Sequence, residues 1–568
     1  MIVVLSALAA LLVACSDGGE ISSGDMPGVN GPGETGGPAG GAGTNAGVPA
    51  DGAPATDPSV CVPGVPGTTQ IPRLLNRQYE ATVRDLLGVD GLGSTPVAEL
   101  LVADFDGPMT PDAWRIYQDV GAQVASEVMT GPNRSRFIDC DPAAAGCLDQ
   151  TIRSFGRRAF RRPLTEDEVA RFQQLGQTMP AGTPEEVAET TLLAFLVSPS
   201  FLLLPELATT QDASGLGIQL SSHEVATRLS FMLWGSIPDD TLNAAADADE
   251  LQTQEQILAQ AQRMIAVRER TGPLVASFHR DWLQMNNGNA HWWKIDHDPG
   301  IYPLYSSDAK PTMQAELDAY FEDVAFADGA FEDLFLSGVA YVNQDTAALY
   351  GLDPAQYDAE LSRVELDAAQ RPGFLTRAGF LSSYSGYSAT SPILRGAFIT
   401  VHMLGVNPGA PIPGAAMMTV DGDFPTQRAY VEELTSPPEC TGCHSIINPS
   451  GFAMEGFDAV GGMQTVDPRG GPIDASVTTA TVDFGDGKQL EISSPLQLMQ
   501  EIAQTPKARE LYAQAWVAYA FGRDPNGNDR CLVEQLDTNL TQDGYGILSL
   551  LADLTQAESF RLRVRQTP

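Results

Sequence analysis

The chain has 568 residues, 43% of them apolar, which is enough for two to four domains with sizeable cores. Its 33 Lys and Arg against 72 Asp and Glu leave a formal net charge of −39. A surface so negative repels phosphate backbones, so no nucleic acid is expected as a partner; it suits a basic partner, a bound cation, a saline medium or plain solubility.

In chain order, Met1 to Ala14 is apolar, ends in small residues and is too short for a bilayer span of about 20 residues, so it reads as an export signal. Leu12-Val13-Ala14-Cys15 resembles the lipobox of bacterial lipoproteins, which implies lipidation of Cys15 as the new N-terminus. No Lys or Arg precedes the apolar run, a departure from that pattern, and a plain secretory signal with an incidental cysteine is the competing reading. Ser16 to Val60, rich in Gly, Pro, Ala, Asp and Thr and without an aromatic residue, cannot offset its ordering entropy by burial. It reads as a flexible tether of roughly 35–40 Å root-mean-square span. No later segment has about 18 uninterrupted apolar residues, so the membrane is contacted through the N-terminal lipid alone.

The body reads as mainly helical. Apolar residues at helical spacing predict helices over 71–87, 113–129, 147–160, 165–179, 183–195 and 221–234. Further helices are expected at 241–246, 252–266, 271–284, 311–326, 495–504, 507–521, 529–539 and 545–554. Thr165 with Glu168 forms a capping box, and Ser221 is a cap. Beta signals are confined to 475–492, where Val477, Thr479, Thr481 and Asp483 alternate before a Gly-Asp-Gly turn, a small hairpin. No strand–helix alternation and no fixed-period repeat is present.

Cys440-Thr441-Gly442-Cys443-His444 is the sharpest motif. Two thiols three residues apart reach the two vinyl groups on one edge of a porphyrin, and the adjacent imidazole supplies the proximal iron ligand, so haem c (iron) is the expected cofactor, with His444 on the metal. A zinc site would need two further ligands, and none stands nearby, His402 being the closest histidine. A redox disulfide would need a strand before it, whereas Ser436 to Glu439 reads as a loop. Asn448 to Phe452 reads as a turn in which a backbone carbonyl accepts the His444 Nδ1 proton. Phe452 and Phe457 serve either as haem cover or as core. For the sixth ligand, Met417, Met418, Met454, Met463, Met499 and His402 all qualify by sequence distance.

There are seven cysteines. With Cys15 assigned to lipid and Cys440 and Cys443 to haem, the other four imply two disulfides: a local Cys140–Cys147 pair and, by elimination, Cys61–Cys531, unless some stay free and buried. His223, His279, His291 and His297 read as packing or surface residues. Asp524 to Asp529 resembles a calcium loop superficially and is better read as a turn. No Gly-x-Ser-x-Gly elbow or phosphate-binding loop occurs.

Several stretches resemble a known family. Arg73 to Tyr79 with Thr82 to Gly88, Phe155 to Thr165, Glu224 to Leu242, Thr390 to Gly396, the haem motif with Asn448-Pro449 and Gly451-Phe452, Glu455 with Phe457-Asp458, and Ala520 to Arg523 are similar to successive domains of a multi-domain family of uncharacterised exported bacterial proteins (DUF1587, DUF1595, DUF1592, DUF1588 and DUF1585 types). These domains occur beside planctomycete-type cytochrome c domains. The resemblance implies a c-type haem at Cys440, Cys443 and His444 and supplies no reaction; Asn448 stands where the family commonly has Asp.

The expected organisation is a signal with lipidated Cys15 (1–15), a disordered tether (16–60), helical domains at 61–135, 136–205 and 206–345, a cytochrome c-like domain carrying the haem motif (346–465), and a hairpin plus helices (466–568). The expected function is electron transfer by a lipid-anchored protein in the periplasm or at the cell surface, with a redox partner protein or small-molecule substrate. A peroxidase- or oxygenase-type haem enzyme with an open iron site, and a non-redox binding protein associated with polymer degradation, are the alternatives; catalytic residues are not readable.

Overall fold

Helix starts are written into short polar boxes. Thr165, Thr183, Ser221 and Thr253 each accept the backbone N–H three residues on, and the Glu or Gln at that position accepts the cap's own N–H in return. A computed structural model describes residues 73–91, 109–178, 182–212, 217–285, 296–409, 418–522 and 529–564, with single positions 412, 415 and 525. Cys15, Cys61, His291, Met417 and most of Asp524 to Asp529, like the expected signal and tether, lie outside the described residues.

The principal helices are α1 (Asn76–Leu87), α2 (Pro111–Thr130), α3 (Cys147–Ala159), α4 (Glu166–Thr178) and α5 (Pro184–Leu196), which share a core around Val83, Tyr117, Ile152, Phe155, Phe195 and Phe201. The Cys140–Cys147 disulfide closes the turn that leads into α3. A second, larger core is built by α6 (Ser222–Trp234), α7 (Asp240–Asp247), α8 (Gln254–Ile265), α9 (Arg268–Trp282) and α10 (Lys310–Phe326). It continues through α11 (Ala378–Ser383), α12 (Pro392–Ala397), α13 (Gln427–Leu434) and α14 (Pro438–Phe452). Four C-terminal helices complete it: α15 (Pro495–Gln504), α16 (Pro506–Phe521), α17 (Arg530–Asn539) and α18 (Ile547–Leu554). Its centre is aromatic: Phe278 stacks on Trp516 with ring centroids 3.5 Å apart.

The strands among the described residues are β1 (Gly217–Gln219), β2 (Val339–Val342), β3 (Ser362–Glu365), β4 (Val477–Asp483), β5 (Gln489–Ile492) and β6 (Leu562–Val564). They pair antiparallel as β1–β6, β2–β3 and β4–β5. The β4–β5 hairpin is the one expected from alternation; the other two pairs are three or four residues long, too short to leave a periodic signal. The fold is thus mainly α, with small two-stranded sheets. The chain's described ends meet on one connector: Leu74 N–H donates to Leu202 O (2.9 Å), while β6 pairs with β1 and Arg563 donates to Ala208 O (2.6 Å). No helix among the described residues is long and apolar enough to cross a membrane.

Two features fix α14. Gly396 of α12 and Gly451 of α14 let the two backbones touch: a Cβ at Gly451 would overlap Pro392 O and lie 2.6 Å from its carbonyl carbon, and one at Gly396 would overlap Ile447 O. Beyond the helix, the fully buried Arg395 guanidinium gathers the carbonyls of Phe457 (2.8 Å), Asp458 (2.6 Å) and Met454 (3.2 Å), with Ser385 Oγ at 2.9 Å. The expected loop at Ser436 to Glu439 is corrected in its second half, since α14 starts at Pro438 with Pro437 as its cap. The expected turn at Asn448 to Phe452 is also corrected: all five residues lie inside α14. Pro449 cannot donate to the carbonyl four residues back, which belongs to exposed Ser445, so water can satisfy that group while the helix continues past the proline.

Candidate functional site

Residues 440, 443 and 444 stand at i, i+3 and i+4 of α14, so their side chains share one face. That face is on the first turns, where Thr441 and Gly442 are exposed and Cys440, Cys443 and His444 half-buried; the helix sinks into the core only from Ile447 on. A Cβ at Gly442 would meet nothing within 4 Å. Cys440 and Cys443 carry free thiols, whereas Cys140, Cys147 and Cys531 are disulfide-bonded. The Cys443 thiol donates to Pro408 O (2.9 Å), which brings the loop after α12 against the motif.

His444 is oriented by a buried relay. Thr435 Oγ1 donates to Val431 O (2.7 Å) and therefore accepts from Asn448 Nδ2 (2.9 Å). That fixes the amide so that Asn448 Oδ1 faces His444 Nδ1 at 3.1 Å and accepts its N–H as a hydrogen bond. The Nε2 lone pair is left for a ligand, the usual arrangement of a metal-binding histidine with a hydrogen-bonded outer partner. The acceptor is a side chain, not the backbone carbonyl expected from the sequence. Two thiols, an oriented imidazole and open space beside Gly442 form a donor set that fits a covalently held porphyrin. Val401, Ile412 and Met418 are exposed apolar side chains within about ten residues of Pro408 in the chain.

Of the sixth-ligand candidates, Met454 and Met499 are fully buried in the large core and are not brought to the motif. Met463 is exposed beyond the opposite, C-terminal end of α14. Met418 is exposed, and His402 precedes Pro408, whose carbonyl accepts the Cys443 thiol. His402 sits on a π-helical turn (Phe398–Met403), where burial lowers its pKa and Gln284 Nε2 donates to its Nδ1 (3.2 Å). Phe452 and Phe457 are core residues, each beneath a guanidinium, Arg428 and Arg371 respectively.

The remaining histidines among the described residues are engaged elsewhere. His223 pairs with Asp247 (3.1 Å). His279 is buried between Val275 O (2.8 Å) and Tyr512 Oη (3.1 Å), and burial holds its pKa down to about 3. His297 bridges Gly386 O and Ser382 Oγ (2.9 and 2.8 Å). Among the described residues no three His, Cys, Asp or Glu side chains converge as a metal-ligand group. Sequence reasoning missed Asn448 as the histidine's partner, although its i+4 spacing is readable. It also missed two buried carboxyls whose pKa burial pushes up to about 7: Glu316, hydrogen-bonded by Tyr350, and Glu455, hydrogen-bonded by Thr390 (2.9 Å) near Arg395.

Four family models match the chain in tandem: Protein of unknown function (DUF1595) over residues 147–206, (DUF1592) over 220–352, (DUF1588) over 371–467 and (DUF1585) over 488–560. The chain belongs to a multi-domain family of proteins of unknown function, and the motif-bearing helix lies inside its DUF1588 segment. The resemblance at residues 73–88 falls outside these four matches. No curated protein and no solved structure matches the chain.

Proposed function

We propose that this member of a family without an assigned activity is an exported, lipid-anchored electron carrier with one haem c on Cys440, Cys443 and His444. The observation that carries the reading is the oriented donor set: free thiols three residues apart and an imidazole whose Nδ1 proton is held by Asn448, all on the exposed turns of one helix. Haem bound there supplies a one-electron iron couple. The chain's own part is to hold the imidazole proton on Nδ1, keep Nε2 aimed outward, and fix α14 through the Gly396–Gly451 crossing and Arg395. Cys15 is the proposed lipid anchor, and the acidic surface favours a basic redox partner.

The test is expression of the full chain with c-type maturation machinery, followed by haem staining on a denaturing gel, intact mass and a redox titration. One covalent haem per chain, lost in a Cys440→Ala/Cys443→Ala double variant, is expected; a negative stain of folded, exported protein overturns the reading. Slow or absent carbon monoxide binding to the reduced protein is expected of a carrier, and rapid binding would transfer the assignment to an open-site haem enzyme.

A further inference from the structure

The centre of the large core holds a hydrogen-bonded tyrosine–histidine pair that the proposed function leaves unused. His279 Nδ1 lies 2.8 Å from Val275 O, and a carbonyl only accepts, so the ring proton is on Nδ1. Nε2 therefore presents its lone pair to Tyr512 Oη at 3.1 Å, and the phenol is the donor. Both side chains are fully buried. Burial holds the Tyr512 hydroxyl well above its usual pKa and the imidazole down to about 3, and no charged side chain contributes to either shift. An acid and a base this weak exchange no proton at rest, which excludes ordinary acid–base catalysis by the pair.

The pair stands in a row of tyrosine and tryptophan rings, the side chains most readily oxidised by one electron. Tyr512, Trp516 and Tyr519 occupy i, i+4 and i+7 of α16 and so share a face. Ring centroids are 6.3 Å apart from Tyr512 to Trp516 and 6.0 Å from Trp516 to Tyr519, and Trp282 of α9 lies 5.1 Å from Tyr512. Trp282 and Tyr519, the ends of the row, are half-buried, whereas Tyr512 and Trp516 are enclosed. Tyr341, Tyr350 and Tyr545 also donate to bases, the carboxylates of Asp323, Glu316 and Asp553, but among the described residues Tyr512 is the one of the four with tryptophan rings beside it.

We infer that Tyr512 is a redox-active tyrosine, and that the row Trp282–Tyr512–Trp516–Tyr519 carries single oxidising equivalents through the core. The step balances within the pair. A one-electron oxidant at the Trp282 end gains one electron, the Tyr512 O–H bond breaks, and its proton passes to His279 Nε2, leaving a neutral tyrosyl radical beside an imidazolium. Phe321, stacked on the imidazole at 4.0 Å, offers that cation a ring face. The Arg77 guanidinium, 4.9 Å over Tyr519, disfavours positive charge there, so the oxidised state rests at Tyr512. A thiol or quinol reductant at the Tyr519 end supplies one electron through Trp516, the proton returns, and the phenol is restored. The oxidant required is stronger than ferric haem, by class a haem that has reacted with a peroxide. For that oxidant the inference rests on the haem reading; the relay itself is tested without haem, so the two fail separately.

The test is flash photolysis of the haem-free full chain with photogenerated ruthenium(III) tris-bipyridine, followed by transient absorption and by high-field electron paramagnetic resonance of freeze-trapped samples. A tyrosyl radical hydrogen-bonded to a protonated imidazole is expected, formed at least twofold more slowly in deuterated buffer. Isotope-labelled histidine reads that bond in the parent itself, without a substitution. Tyr512→Phe, which keeps the ring, should cut the radical yield at least fivefold, and His279→Leu should remove the imidazole signature and the isotope effect. A Trp282→Phe/Trp516→Phe double variant should form the radical at least tenfold more slowly. Tyr387→Phe, at an exposed tyrosine, should match the parent. Near-ultraviolet circular dichroism checks that each variant keeps its core. The inference falls if the parent traps no tyrosyl radical, if Tyr512→Phe keeps the parent signal, if His279→Leu leaves line shape and isotope effect unchanged, or if the double variant forms the radical at the parent rate.

Discussion

Replacing Gly451 by alanine tests whether the α12–α14 crossing positions the motif helix. In an exposed helix interior alanine is favoured over glycine by about 1 kcal/mol, so without a steric conflict Gly451→Ala would stabilise the chain. Here the new methyl would overlap Pro392 O and lie 2.6 and 2.9 Å from its carbonyl carbon and Cα. Ordinary contact needs about 3.5 Å, so the helices must part by about 1 Å. The obstacle is backbone, which cannot swing aside, and Gly396 blocks relief from the other helix because it too abuts a carbonyl, that of Ile447. Overpacking of this kind costs about 1–3 kcal/mol, which exceeds the propensity gain and reverses its sign. Urea unfolding followed by Trp fluorescence should show a lower midpoint with the slope unchanged. Gly442→Ala, on the same helix with open space around it, should be neutral or slightly stabilising. A Gly451→Ala midpoint equal to or above the parent's would refute the close-crossing account.

Other outcomes follow from the same geometry. Asn448→Leu removes one buried and one part-buried hydrogen bond and should destabilise by about 1–2 kcal/mol; in haem-loaded protein, Asn448→Asp should lower the midpoint potential because a charged acceptor makes His444 a stronger electron donor to the iron, measured by potentiometric titration. Removing the Cys140–Cys147 disulfide by a double serine substitution should cost about 2–3 kcal/mol in thermal or urea unfolding under non-reducing conditions. Glu316 is pushed up to about 7 from 4.5, so between those pH values the folded chain holds a proton that the unfolded chain has released. Its contribution is complete below about pH 4.5 and lost as pH rises through 7, so Glu316→Gln should flatten the fall in stability across that window by at most about 3 kcal/mol. A parallel pair of pH–stability curves would contradict this.

Much of the helical framework was legible because local rules act within a few residues. The boxes at Thr165 and Ser221 and the apolar stripes of α2, α3 and α6 place their ends within two residues of those observed. The motif residues were legible for the same reason, as three neighbours on one helix. What escaped was set by packing at long range. Pro449 and Gly451 read as turn residues because propensity disfavours both in a helix, but burial against α12 overrides propensity there. Nothing in the vicinity of Arg395 announces that it will collect carbonyls from more than fifty residues away. The small cleft lined by residues 302, 388, 427 and 464 is a grouping that exists only after folding.

The connector between α5 and α6 receives both described ends of the chain, Leu74 at Leu202 and the last strand at Gly217–Gln219. The two described ends are therefore clasped at Leu202 and at Gly217–Gln219, and the clasp cannot shut until residue 564 has been made. Folding that proceeds from the N-terminus as the chain emerges must leave β1 without its partner until the end, an arrangement of high contact order that favours slow final closure. Cys440 to His444 precede the closing strand by about 120 residues in the chain, so the motif helix is made while its scaffold is still open.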